Sequence, residues 1–365
     1  GRSPTQNEKG EANSRTGEAR QPRSGKQLIY LQALRVLAIW LVIYNHTAYH
    51  VFLGRPADTT WLVLTLGFFV CKWGVPLFVL ITGATLLTRV DAYGKTALRG
   101  LRVVVALLAA TLYTLWWGNG WQLPLNVGAG EFLRLFWNCG VSATYWYFYL
   151  YLGIVLMLPV LQRLAQALDR TALRYALAVT LGLRGLWPML THYVPELAGA
   201  SFFWLPLGSE YVGLLLGGVY LARYARATRP GMLLAALVML ASIVVPTLLT
   251  RAEWTIYTYG GDLPFDSPTL LPVTAGAMAC FYLVRSLYEG RRVGAARGKI
   301  VCYLGGCAFA VFILHDGLLA LFRPLFEQLL ASPVKALLVW MLAGGGASFA
   351  VAAVLKAIPG VRKIL

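Results

Sequence analysis

LIYLQALRVLAIWLVIYNHTAYH, residues 28–50, decides the fold: it is a nearly unbroken apolar run, with Arg35 and His46 as ionisable groups inside it. A helix rises about 1.5 Å per residue, so roughly 20 such residues cross the ~30 Å hydrocarbon layer of a bilayer. Nine further segments read the same way, at about 61–87, 100–119, 145–165, 174–191, 202–222, 231–250, 269–288, 301–322 and 335–356. The fifth span is interrupted by Arg184, and the second is long and broken by Gly74 and Pro76. The expectation is an all-α polytopic membrane protein of about ten transmembrane helices. Composition agrees, because 58% hydrophobic residues, 13% charged residues and a mean hydropathy of +0.63 lie outside the range of ordinary soluble domains.

A net charge of +17 raises the question of nucleic acid, which the distribution of the cations answers. Of 32 Lys and Arg, 24 fall in the two termini and the even-numbered loops: Arg89 to Arg102, Arg163 to Arg174, Arg223 to Arg229 and Arg285 to Lys299. The odd-numbered loops hold only Arg55, Arg134, Arg251, Arg323 and Lys335. Loops facing the cytoplasm carry the excess of Lys and Arg, so this alternation places both termini in the cytoplasm of a cell inner-membrane protein. It accounts for the charge without a nucleic-acid partner. Residues 1–26 carry no apolar run and read as a disordered basic cytoplasmic tail, and residues 27–365 as a single transmembrane domain.

Cys71, Cys139, Cys280, Cys302 and Cys307 form no paired metal-ligand spacing and read as small buried hydrophobes. Aromatic residues gather on the other side of the membrane, in Trp116, Trp117, Trp121, Trp137, Tyr145, Trp146 and Tyr147, then Trp254, Tyr257 and Tyr259. Interfacial anchoring explains most of them, and flat surfaces that stack on pyranose rings are the alternative. Asp262 and Asp266 lie in a loop on that side, where a solvated turn and a contact to a sugar acceptor are both open readings.

An ionisable group at mid-bilayer costs about 2.5–3.5 kcal/mol on insertion scales, so each needs a partner or a task. Arg35, His46, Lys72, Arg184 and Glu210 stand out. Eleven helical steps of about 100° return to within ~20° of the starting direction, so Arg35 and His46 share one face of the first helix, ~16 Å apart along its axis. A packed, satisfied histidine is the ordinary reading of His46. The shared face points instead to paired chemistry: imidazole accepts a hydroxyl proton near neutrality, while guanidinium stays charged and holds phosphate or carboxylate.

Several segments together resemble the membrane-bound acyltransferase-3 family. They are Arg35 followed after ten residues by His46, KWGVPLFVLITGATLL at 72–87, TYWYFYLYLGIVLMLPVLQRL at 144–164 and CAFAVFILHDGLL at 307–319. The resemblance covers residues 28–356. It departs where the family often has Asp three positions before the arginine (Gln32 here), Gly after it (Val36) and a late Ser-x-Gly (Cys307, Ala308).

The resemblance implies a multi-pass O-acyltransferase that moves an acyl group, acetyl above others, from acyl-CoA on the cytoplasmic side to a hydroxyl of a cell-surface glycan or its lipid-linked precursor. By carry-over, His46 is the catalytic histidine, acting as base or transient acyl carrier, and Arg35 is its companion. Lys72 and Arg35 would bind acyl-CoA, with His315 and Asp316 in the same site. Glu210 is the first candidate for the carboxylate that orients imidazole and Asp316 the second, and a structural ion pair from Glu210 to Lys72 or Arg184 is the alternative. No metal is expected, and oligomeric state stays open. Gly213 and Gly217 read as close helix packing. The rival function is a transporter or exporter of a polysaccharide precursor or small molecule, since ten spans with buried charges also describe a substrate pathway.

Overall fold

Apolar runs without internal water partners must satisfy their backbone groups within themselves, and helix is the form that does so for a single segment. The computed structural model describes residues 28–52, 54–199, 210–254, 265–291 and 293–363, and among them it is all-helical. Eight helical stretches are long and apolar enough to cross a membrane: Ile29–Ala48, Thr59–Leu86, Tyr93–Gly118, Ala143–Ala167, Arg229–Glu253, Leu271–Tyr288, Ala295–Gln328 and Pro333–Ala357. The individual helices are α1 (Leu28–Phe52), α2 (Thr59–Cys71), α3 (Gly74–Leu86), α4 (Tyr93–Gly118), α5 (Ala129–Trp137) and α6 (Trp146–Ala167). They continue as α7 (Arg170–Thr180), α8 (Trp187–Tyr193), α9 (Glu210–Tyr224), α10 (Arg229–Glu253), α11 (Leu271–Tyr288), α12 (Ala295–Gln328) and α13 (Pro333–Ala357).

The expected fifth and sixth spans fall outside those eight for identifiable reasons. The fifth is divided, because a π-helical turn at Leu181–Leu186, holding Arg184, separates α7 from α8. Of the sixth, only α9 is described, and residues 200–209 lie outside the described set. The expected break in the second span is real. Lys72 caps α2, and Gly74 and Pro76 open α3 in line with it, so the two together make one crossing.

α1 is the hub. It packs against α2, α3, α11, α12 and α13, while α12 also meets α4 and α13. On its other side α3 lies along α9 with backbones in close approach: a side chain at Gly218 would overlap the Leu80 carbonyl, and one at Gly83 the Leu215 carbonyl. Gly213 packs on Thr180 of α7 and Gly217 on Leu177 and Leu80, as the GxxxG spacing suggests. Gly218→Ala should therefore destabilise the folded protein by about 1–3 kcal/mol through forced overpacking. Gly94→Ala, at a helical glycine with open space around it, should not. Thermal unfolding of the two variants in mild detergent checks this.

The loop between α3 and α4 is built around one carboxylate. Asp91 is buried, with Arg89, Lys95 and Arg99 at 3.3, 2.8 and 3.3 Å. Gln162 of α6 accepts the Asp91 backbone N–H at 3.0 Å and donates to the Leu86 carbonyl at 2.8 Å. Burial alone would raise the Asp91 pKa, but the hydrogen bond from Lys95, the charge of Arg89 and the bonds from Gln162 and Arg99 together pull it down to about 2. A carboxyl depressed from about 3.9 in the unfolded chain stabilises the fold above that pH and loses its contribution as pH falls through the folded value. Asp91→Asn should accordingly cost about 2 kcal/mol at neutral pH. The deficit relative to wild type should close between about pH 4 and pH 2, measured by denaturation in detergent across that range.

The cysteines divide by place. Cys71, Cys280 and Cys307 are buried and free as expected, whereas Cys302 is exposed and Cys139 half-buried.

Candidate active site

His46 sits in the second half of α1, where helix contacts from α12 close over it. Its imidazole ring lies 5.0 Å, centroid to centroid, from that of His315, tilted by 50°. His315 is completely buried. Its Nδ1 lies 2.8 Å from the Phe312 carbonyl one turn back, an arrangement that requires Nδ1 to carry a proton. Nε2 is then left facing the Asp316 carboxylate at 3.4 Å, without an aligned hydrogen bond. A bare nitrogen lone pair opposite a carboxylate is repulsive, so this contact is favourable only when a proton is held on one of the two groups. His46, His315 and Asp316 each offer a donor atom within 4.8 Å of the others.

Asp316 is held from outside the helix. Its second oxygen accepts the Ser142 hydroxyl at 3.0 Å, and Thr144 adds a further side-chain bond. Ser142 also caps the short turn Ala143–Tyr145 that starts α6. The Tyr145 hydroxyl accepts from Thr114 at 2.9 Å and donates to the Ile313 carbonyl at 3.1 Å, and the Tyr113 hydroxyl donates to the Leu314 carbonyl at 2.9 Å. Two tyrosines thus pin the turn of α12 that carries His315 and Asp316. Gly317 permits it, since a side chain there would collide with Tyr113 and Trp117. Phe312 packs the other flank, 4.9 Å from Phe148 and 5.6 Å from Tyr147.

Arg35 lies about three turns back along α1, toward the face that carries the basic loops. Its guanidinium donates to Gln32 at 3.2 Å, a neutral partner three residues back on the same helix. Tyr147 and Tyr151 of α6 lie within electrostatic reach of Arg35, and Tyr151 is also within reach of Arg99. Two cations therefore lie within electrostatic reach of one phenol on the side of the basic loops.

Lys72 does not join them. Cys71 lies 3.7 Å from Asn45, and Gly74 packs on Ala38 and Val42, which puts Lys72 level with the half of α1 that carries His46. Its ammonium is 3.2 Å from Asp266 and 4.1 Å from the Phe68 ring centre, with both charged side chains largely covered. Lys72, expected with Arg35 in the acyl-CoA site, makes an ion pair to Asp266 of the 265–270 segment. Asp266 is correspondingly turned inward, away from the solvated-turn reading. Asp262 and the side chain of Glu210 lie outside the described residues. Among the described carboxylates, Asp316 is the one the fold brings to the histidines.

A family model described as an acyltransferase domain, Acyl_transf_3, matches residues 28–357, nearly the whole described chain. The chain belongs to this acyltransferase family. No curated protein and no solved structure matches it. Within the acyltransferase fold, the first and late helices that carried the sequence resemblance are the two that meet at His46 and His315. Ser142, Tyr113 and Arg99 have no site role among the sequence expectations; Thr144 and Tyr145 figured there in the segment 144–164 that carries the resemblance, and Tyr145 also among the aromatics of the outer side, without a contact to the late helix. Hydroxyls in a turn carry no spacing signal until the fold sets them against a residue 174 positions away.

Three potential ligand atoms within 4.8 Å of one another also match the ligand count of a catalytic divalent-metal site. A proton relay and an ion-bound site differ in their response to a chelator, which separates them.

Proposed function

We propose that this acyltransferase moves an acyl group, acetyl above others, from acyl-CoA to a hydroxyl of a cell-surface glycan or its lipid-linked precursor. The observation that carries the reading is the geometry of α1: a proton-accepting imidazole, backed by His315 and Asp316, on the same helix face as a guanidinium nearer the basic side. Positive-inside orientation makes that side the cytoplasm, where acyl-CoA is found. The long pantetheine arm can then reach along α1 while its phosphates stay with Arg35 and Arg99.

In the reaction, the acceptor oxygen attacks the thioester carbonyl as its proton passes to His46. The C–S bond breaks, the new C–O ester bond remains, and the thiolate leaves as CoA-SH with the proton returned from His46. The Asp316 carboxylate stabilises the charge that develops on His46, the role a buried carboxylate plays toward imidazole in hydrolytic triads.

Arg35→Ala should raise the KM for acyl-CoA by roughly 10- to 100-fold, the scale of a lost charge-assisted bond, and Arg35→Lys should recover part of it. Steady-state kinetics in membranes with varied acetyl-CoA tests this; a donor KM unchanged in Arg35→Ala would remove Arg35 from the donor site.

A further inference from the structure

A cavity of about 400 Å³ opens on the aromatic face, beside the stretch of chain that leads to Ser142. It is walled by the end of α4, the loop after it, α5 and the turn that leads to Ser142, with Thr114, Trp117, Asn119, Asn126, Gly140 and Val141 in its lining. Its size lies within the range of small-ligand sites, roughly 300–1,000 Å³. It is also continuous in sequence and space with the catalytic groups. Val141 precedes the serine that holds Asp316, Thr114 bonds Tyr145, and Trp117 packs against Gly317, the residue after Asp316.

The lining suits a hydroxylated ring better than a lipid tail. Asn126 is exposed and offers both a donor and an acceptor. Asn119 spends its amide N–H groups on the Gln122 and Pro124 carbonyls, which sets the loop and leaves its carbonyl oxygen facing outward from those bonds. Trp117 supplies an apolar wall. Exposed Trp116, Trp137 and Trp146 stand on the same face, as flat surfaces for further rings.

We infer that this cavity is the acceptor subsite: it binds a sugar ring of the glycan and presents one hydroxyl to His46, with Trp117 as a stacking wall. The inference rests on the acyltransferase reading for the fate of the sugar, but sugar binding itself can be measured without acyl-CoA.

The test uses the full chain with Val127→Cys, at another lining residue that the binding argument does not use, and Cys302→Ser, in sealed vesicles with the aromatic face outward. The readout is the rate of alkylation by a membrane-impermeant maleimide, with Cys139→Ala as the control for the neighbouring thiol. The probe is an acid hydrolysate of the host's surface polysaccharide. The expected result is saturable slowing of alkylation, about threefold at twice the half-saturating concentration by mass action. An alkylation rate that the hydrolysate leaves unchanged, at an introduced thiol that is otherwise reactive, overturns the subsite. Protection by sugar in a protein that transfers no acyl group would uphold the subsite while refuting the acyltransferase reading.

Discussion

His46→Ala is expected to lower transfer of acetyl to the host glycan fraction by about 10²- to 10⁴-fold, the range by which a positioned general base accelerates proton transfer. The loss should fall on kcat, with the KM for acyl-CoA close to wild type, because the donor is held at Arg35, several turns away on the same helix. The fold should tolerate the change. His46 is half-buried rather than fully enclosed, and the pinning of α12 runs through Tyr113 and Tyr145 instead of through this ring. Rates per folded protein, quantified by size-exclusion in detergent, check both parts. A His46→Ala protein with wild-type kcat would leave the shared face of α1 without a catalytic use.

Asp316→Asn is expected to be the second-largest loss, on the order of 10²-fold in kcat, with both KM values preserved. Asparagine keeps the size of the side chain and can still accept from Ser142, so packing survives while the negative charge is removed. What disappears is the negative charge that faces His315 Nε2 at 3.4 Å and stabilises charge on the neighbouring His46. Ser142→Ala should show a smaller loss of the same kind, since it frees the carboxylate to turn away. If the trio works as a proton relay, incubation with EDTA leaves wild-type transfer intact. Loss of transfer on EDTA treatment, with recovery on adding a divalent ion, would assign the same three donors to a metal.

The features legible in the sequence are those carried by local pattern. Hydropathy reports spans because the bilayer imposes it segment by segment, and the eleven-residue step from Arg35 to His46 is fixed by helix geometry whatever surrounds it. The late helix with His315 and Asp316 stands out as a segment. Its role depends on contact across 269 positions of chain, which no periodicity encodes. Lys72 shows the converse. A basic residue near mid-span invites pairing with the other buried cation site, but the cap at the end of α2 turns it to Asp266, a residue whose sequence context also fits a solvated loop. The fifth span is a third case: Arg184 marks an interruption in the sequence, and its form as a π-helical turn comes from packing, with Gly185 against Leu271 of α11.

The most direct test of the central claim, that acyl groups pass from a donor on the basic face to a hydroxyl near His46, is a sided transfer assay. Sealed vesicles of known orientation carrying wild type or His46→Ala, at equal folded amounts, receive radiolabelled acetyl-CoA on one face only. The expected result is labelled glycan or lipid-linked sugar when the donor is offered on the basic face, none when it is offered on the aromatic face, and none from His46→Ala. Labelling only with the donor on the aromatic face, or undiminished labelling by His46→Ala, would contradict it.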